Sequence, residues 1–481
     1  MNYRTVAKLL GLLLIGIALF MATSLIPAVL SDSKDSIVTF ILSVVITSIA
    51  GILLYLAGRR ETGAIHAREA TAVVTLAWLA VSIFGGIPYL LEGTFSNPAD
   101  AFFETASGFT TTGSSVMTNI EASSKSILYW RSLTQWLGGM GIIVLFIAIL
   151  PQLGVGAKHL FKSEVPGPIT EGLKPKLKHT SGILWRIYIG LTTALVISLM
   201  VAGMDFFDAI CHSLTCMATG GFSTKNASIA HFDNTSIDVI LTIFMWFAGI
   251  NFGMYYILLR GRVRELFTNA EFRVYAAVNI LAVLVIAVNV LGRHPHFLTA
   301  LRYASFQTLA VSTTTGFATD NFDLYPSFSK ILMVVLMFIG GSAGSTAGGI
   351  KISRIIIVFK AAYHEIYRAF HPRAVFAVKV GNQVIDEAVI RSVMVFFGVF
   401  IISFVIGTLV MASMGLDMAT AATSVVATFA NIGPGLAKVG AIENYAFIPW
   451  GGKLFLSFMM ILGRLELFTV LVLFIPDFWR R

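Results

Sequence analysis

Four short stretches of this chain finish in the same kind of turn: Thr110-Thr111-Thr112-Gly113, Ala218-Thr219-Gly220-Gly221, Thr313-Thr314-Thr315-Gly316 and Asn431-Ile432-Gly433-Pro434. The glycines at 113, 220, 316 and 433 lie 107, 96 and 117 residues apart, so a fourfold internal repeat is the simplest account. Such a stretch presents backbone carbonyls, because glycine reaches conformations closed to other residues and threonine adds a hydroxyl to the row. Four carbonyl-bearing turns around one axis make a dehydrated cation filter.

The solvent follows from composition. Hydrophobic residues make up 56% of the 481 and charged residues only 12%, with mean hydropathy +0.82, whereas about a quarter of a soluble domain is charged. The chain reads as an integral membrane protein. Ten stretches are long enough to cross about 30 Å of hydrocarbon at roughly 20 residues each; they fall near 6–30, 36–58, 70–92, 127–150, 183–204, 236–259, 274–292, 327–360, 389–414 and 452–476. The first resembles a signal peptide in having Arg4 and Lys8 ahead of an apolar run, but no convincing cleavage site follows, and it reads as a retained helix. The net charge of +9 comes in small groups between apolar runs and forms no basic face, which argues against a nucleic-acid partner. Cys211 and Cys216 sit in an apolar to small-residue stretch and read as packing residues.

Orientation follows from the lysines and arginines. Connections alternating along the chain hold 24 of the 34 basic residues, nine lie on the other side, and Arg464 falls within a span. Both termini are then expected in the cytoplasm, with the four turns open to the outside. Each turn is preceded by a segment too short to cross. These segments begin at caps Asn97-Pro98, Asp205, Thr299 and Asp417 and reach their glycines after 16, 15, 17 and 16 residues. As re-entrant half-helices they aim partly negative C-terminal ends at the bilayer centre, which favours a cation there. A lone Thr-Gly turn often only terminates a helix or packs against one. Four copies, all on one side, point to a single structural device.

Span, half-helix, Thr-Gly turn and span, four times over, resembles the Trk/Ktr/HKT superfamily of potassium transporters across essentially the whole chain. Two extra spans before residue 60 make it similar to the bacterial TrkH-type subunit. The resemblance implies an all-α membrane protein of four pseudo-fourfold repeats around a central pore, with a two-span segment over 1–66 and repeats over 67–155, 156–262, 263–372 and 373–481. It implies potassium uptake across the bacterial inner membrane, with K+ held at Thr111, Thr112, Gly113, Ala218, Thr219, Gly220, Thr314, Thr315, Gly316, Asn431, Ile432 and Gly433. Glycine at 113, where sodium-admitting relatives tend to have serine, favours potassium. The fourth repeat departs from the pattern, keeping its carbonyls and losing the hydroxyl.

Two further features lie in the spans. The run Gly340-Gly341-Ser342-Ala343-Gly344-Ser345-Thr346-Ala347-Gly348-Gly349 interrupts the eighth. Each glycine costs a helix about 1 kcal/mol relative to alanine, so a broken helix lining a cavity is expected. Close packing of small residues is the plainer alternative. Ile350 separates Gly349 from Lys351, which excludes a phosphate-binding loop. Arg464, about twelve residues into the last span, needs water or a partner there. Glu466 is two residues away and on another face of a helix, so the two should have separate partners. In the resembling family this loop obstructs the pore and an arginine in this span works with it, which implies a gate of Gly344, Ser345, Thr346, Ala347, Gly348, Gly349 and Arg464.

An enzyme is disfavoured, since the nine histidines are scattered, no His-x-x-His or paired-carboxylate pattern occurs, and His212 reads as a packing residue. No organic cofactor is expected. A secondary transporter with inverted repeats would not place all four turns on one side, yet potassium symport with proton or sodium stays open. The connections near 152–182 and 361–388 are too short for a nucleotide-binding domain and carry no glycine fingerprint. Regulation is therefore expected from a separate cytoplasmic partner; the resemblance implies that this is a nucleotide-binding ring protein of the TrkA type, and it implies a homodimer.

Overall fold

A computed structural model of the chain describes residues 1–60, 66–141, 177–371, 377–381 and 383–480. Within these, six helices are long and apolar enough to cross a membrane, or eight if two sharply bent pairs each count as one span. The only sheet among the described residues is a two-stranded antiparallel hairpin, Lys379–Val380 against Gln383–Val384.

The chain passes four times through the order long helix, short helix, helix. The long members are Ala67–Gly85, Leu177–Val201, Ala270–Asn289 and Glu387–Ser413. The short ones are Pro98–Phe109, Phe206–Met217, Phe297–Ser312 and Met418–Phe429. The closing ones are Lys125–Gly139, Thr235–Ala248, Ser327–Ile339 and Trp450–Arg464. Ahead of them, Tyr3–Ala22 lies along Lys34–Gly58 at backbone contact. A Cβ at Gly51 would lie 3.0 Å from the Gly11 carbonyl oxygen; small residues allow such approach where apolar driving force between helices is weak. The outer face of Lys34–Gly58 exposes Val38, Ile41, Leu42, Val45, Ile49, Leu53 and Leu56, a surface suited to lipid.

Three of the four short helices start where their caps predict. Asn97 accepts from the Ala99 amide at 2.9 Å, Asp205 from Phe207 at 3.0 Å and Asp417 from Thr420 at 3.1 Å, satisfying donors that the first turn leaves free. The third begins at Phe297, before the expected Thr299, after His296, whose side chain makes no cap bond.

Several expected spans are not straight. The stretch 236–259 breaks between Thr235–Ala248 and Phe252–Leu259 with a 96° bend, and 452–476 breaks after Arg464 with a 114° bend. Asn251 caps the helix beyond the first break, accepting from the Gly253 amide at 2.7 Å. At the second, Glu466 and Leu467 both take positive φ, a conformation that non-glycine residues rarely hold. The stretch 327–360 is interrupted from Gly340 to Lys351 and resumes as Ile352–Phe370, as its glycines lead one to expect. Of 127–150 and 152–182, residues 142–150 and 152–176 lie outside the described residues.

Candidate functional site

Each short helix ends in the same hydrogen-bonded cap. In the first, the Thr111 amide donates to Gly108 O and the Thr112 amide to Ser107 O, both at 2.9 Å. The pairs Thr219 to Cys216 and Gly220 to Thr215, Thr314 to Val311 and Thr315 to Ala310, and Asn431 to Thr428 and Ile432 to Ala427 repeat it. This is the Schellman arrangement, whose first residue past the cap takes left-handed backbone and is usually glycine. Here it is Thr111, Thr219, Thr314 and Asn431, at φ 56, 54, 58 and 57°. A β-branched residue in that region is strained by about 1–3 kcal/mol; asparagine tolerates it best among side-chain-bearing residues. All four are buried.

Two residues on, Gly113, Gly221, Gly316 and Gly433 also have positive φ. The second turn is therefore in a different register from the one expected. Its left-handed glycine is Gly221, while Gly220 stands where the other turns have Thr112, Thr315 and Ile432, and Ala218 is the cap residue that precedes the turn. Counted this way, the glycine lies 16 residues beyond Asp205, as Gly113 does beyond Asn97 and Gly433 beyond Asp417.

The four turns close on one another. A Cβ at Gly113 would run into Gly220 O, one at Gly221 into Thr315 O, one at Gly316 into Ile432 O, and one at Gly433 would lie 2.8 Å from Thr112 O. Each glycine is thus pressed against the preceding carbonyl of the next turn, in cyclic order. The result is a ring of backbone with the C-terminal, partly negative ends of four helices directed into it.

Packed against the ring are the loop 340–351 and Arg464. Thr346 Oγ1 donates to Met217 O at 3.1 Å and Ala248 O at 3.3 Å, and the Gly348 amide donates to Thr314 Oγ1 at 2.7 Å. A Cβ at Gly348 would run into Ala430 O. The loop is held from the side by Ser342 N to Gly249 O and Phe252 N to Gly344 O, both 3.0 Å, and by Ala343 N to Glu271 Oε1 at 2.7 Å. Arg464 is the last residue of its helix, at the bend and not in mid-helix as expected. Its guanidinium donates to Thr111 Oγ1 at 3.1 Å, Thr346 O at 2.9 Å, Gly138 O at 2.7 Å and Gly139 O at 3.0 Å. Glu466 instead pairs with Arg354, so the two neighbours do have separate partners. Loop and arginine together touch the ends of all four short helices.

Several participants escaped the sequence reading. Glu104 and Arg131 form a buried pair at 2.7 Å behind the first two turns; Glu104 also accepts from Val116 N, and Arg131 donates to Ser223 O. Gln135, one helical turn from Arg131, is fully buried against the second turn. Polar residues four apart inside an apolar span were the available signal, since such residues face the protein interior. Lys351 is buried and donates to Ala347 O, capping the loop from below. His212 is buried between Asp208 O and Ser223 Oγ at 2.7 and 2.9 Å. Among the described residues no three His, Cys, Asp or Glu side chains cluster as for a metal ion, and a ring of this kind offers carbonyl oxygens instead.

A family model described as TrkH, cation transport protein, matches residues 36–481. The Trk system potassium uptake protein TrkH of Salmonella typhimurium is 39% identical over 492 residues, spanning all of both chains. The Trk system potassium uptake protein TrkG of Escherichia coli is 32% identical, over 100% of this chain and 99% of its own. The crystal structure of the potassium transporter TrkH from Vibrio parahaemolyticus superposes with a TM-score of 0.90 at 34% identity, covering 100% of each chain.

Proposed function

The chain belongs to the TrkH family of cation transport proteins, and on that premise we propose that it takes up potassium through a central pore. The ring of Thr111–Gly113, Thr219–Gly221, Thr314–Gly316 and Asn431–Gly433 is the ion filter; the loop 340–351 with Arg464 is the barrier beneath it. The observation that carries this reading is the closure of four turns glycine against carbonyl, which sets four carbonyl-bearing turns in one ring, the arrangement by which backbone oxygens replace a cation's water shell. Potassium uptake is what the names of the relatives state of those proteins.

The barrier follows from position. A cation leaving the ring meets the loop backbone and a guanidinium carrying a full positive charge, so passage is opposed both sterically and electrostatically until the two move aside. The concentration of basic residues in alternate connections supports cytoplasmic termini in a bacterial inner membrane. A homodimer and a cytoplasmic nucleotide-binding subunit of the TrkA type, both implied by the resemblance, complete the proposal.

The test is flux of potassium, rubidium, sodium and lithium into liposomes holding the purified protein. Selective, electrogenic potassium movement is expected. Strict stoichiometric coupling to protons or sodium would replace the channel reading with symport, and no cation flux at all would overturn both.

A further inference from the structure

We infer that Gln135 is a positioning residue for ion selectivity, standing in for the side chain that the second turn lacks. The inference rests on reading the four turns as the ion filter. At the position after the left-handed residue, three turns carry a side chain, Thr112, Thr315 and Ile432, and the second carries Gly220. Backbone conformation does not require this glycine, because Gly220 is not among the positive-φ residues. Space does: a Cβ there would lie 2.5 Å from Gln135 Oε1 and 2.7 Å from Nε2. The Gln135 amide fills the place of the missing side chain.

Gln135 also binds what it displaces. Nε2 donates to Gly220 O at 2.7 Å, and Oε1 accepts from the Phe222 amide at 3.0 Å. Only one orientation of the amide satisfies both, since Phe222 N–H can only donate. The side chain therefore bridges the backbone on either side of Gly221 and holds the Gly220 carbonyl against Gly113. Among the described residues, no side chain donates to the carbonyls of Thr112, Thr315 or Ile432.

The matching places in other repeats are apolar. Gln135 and Met245 each precede a tryptophan whose carbonyl accepts a tyrosine hydroxyl, Trp136 from Tyr188 at 3.1 Å and Trp246 from Tyr275 at 3.0 Å. Gln135 and Met460 each lie three residues before a glycine, Gly138 and Gly463, pressed against the last carbonyl of its own repeat's short helix, Phe109 O and Phe429 O. Met245 and Met460 are both fully buried. A polar residue thus stands at this place where it meets a turn that has no side chain, and methionine stands at the matching places of the second and fourth repeats. Glycine and glutamine form one unit.

The consequence is specific. Gln135→Met, the residue type already used at the matching places, removes both hydrogen bonds and leaves the second turn free to shift. The potassium-to-sodium flux ratio in liposomes should fall roughly fivefold, the equivalent of one lost hydrogen bond. Gly220→Thr alone collides with Gln135 and should lower the ratio as well. Combined, Gly220→Thr with Gln135→Met supplies the residue types found at Thr112 and Met460, both of which meet the Asn431 amide, and should recover most of the wild-type ratio, which a merely structural role for Gln135 would not predict. A wild-type ratio in Gln135→Met, while Gly113→Ser shifts it, overturns this inference and leaves the filter reading intact. An unchanged ratio in both overturns the filter reading itself. Should Gln135→Met yield no folded protein, the paired variant decides: recovery of yield and ratio upholds the complementation, and recovery of neither overturns it.

Discussion

Arg464 reaches across the molecule to the hydroxyl of Thr111 at 3.1 Å, so the charge under the ring is bonded to the one side-chain-bearing residue of the first turn that is held in left-handed backbone. The same choice recurs. Thr314, the equivalent residue of the third turn, accepts the Gly348 amide, and Asn431, that of the fourth, donates to Met460 O at 3.0 Å and to Thr112 Oγ1 at 2.9 Å. Glycine would hold these backbones without strain. A strained threonine in its place supplies a side-chain oxygen below the ring, where the loop and the arginine bind it.

Removing the guanidinium should therefore open the path without changing what the ring prefers. In Arg464→Ala, potassium flux through liposome-embedded protein should rise several-fold at an unchanged potassium-to-sodium ratio. Deletion within 343–348 should do the same, and the two together should be less than additive, as for neighbours sharing one barrier. Arg464→Lys should behave more like alanine than like arginine, because a single ammonium cannot span Gly138 O, Gly139 O, Thr346 O and the Thr111 hydroxyl as the fork does. Wild-type flux in all of these well-folded variants removes the barrier role.

The glycine ring makes an ordered prediction. Serine at Gly113, Gly221 or Gly316 is opposed by its positive φ and by a carbonyl in the space its Cβ needs. At Gly433 the carbonyl stands farther off, at 2.8 Å. Sodium permeation should rise in all four, least in Gly433→Ser, when measured as the sodium share of total flux. Gly221→Ser should match Gly113→Ser in kind, which the register of the second turn requires.

Much of this was legible beforehand. The repeat, the caps at Asn97, Asp205 and Asp417, the interrupted helix after Ile339 and the separate partners of Arg464 and Glu466 follow from spacing and local chemistry. The register of the second turn is hidden in the sequence because two successive glycines, Gly220 and Gly221, are locally equivalent; only Gln135, 85 residues earlier in the chain, distinguishes them. The 16-residue distance from cap to glycine that the first and fourth turns share was the one signal that could have settled it. The bends after Ala248 and Arg464 were invisible to hydropathy, since both flanks stay apolar, although Asn251 and Glu466 marked them. The early start at Phe297 has no side-chain cap to announce it.

Thr314 offers a narrower test of how the ring holds the loop. Valine has the same branched shape and keeps the strain, but it leaves the buried Gly348 amide without its acceptor, a loss of about 1–3 kcal/mol. Thr314→Val should raise potassium flux, while Thr314→Ser, which keeps the hydroxyl, should stay near wild type. Equal flux in both variants separates loop from ring.

The two arms of the proposed barrier are also joined from below. Arg354 lies on the first turn of the helix that follows the loop, Glu466 stands two residues past Arg464, and their side chains form an ion pair that leaves the arginine guanidinium over the Phe396 ring at 4.1 Å. Removing one partner strands a charge: Glu466→Gln leaves Arg354, whose side chain is 8% exposed, with the Ile350 carbonyl at 3.3 Å. Breaking a buried pair costs about 3–5 kcal/mol, and the partial exposure of Glu466 places this one at the low end. Replacing both, with Arg354→Met and Glu466→Leu, removes the desolvation cost along with the attraction and should restore stability to near wild type. It does not restore the link between the arms. The paired variant should therefore melt close to the wild-type temperature in detergent yet conduct potassium faster in liposomes, whereas Glu466→Gln should melt earlier and also conduct faster. A paired variant with both wild-type melting and wild-type flux would show that the ion pair serves packing alone and that the loop and Arg464 are held in place entirely by their contacts with the ring above.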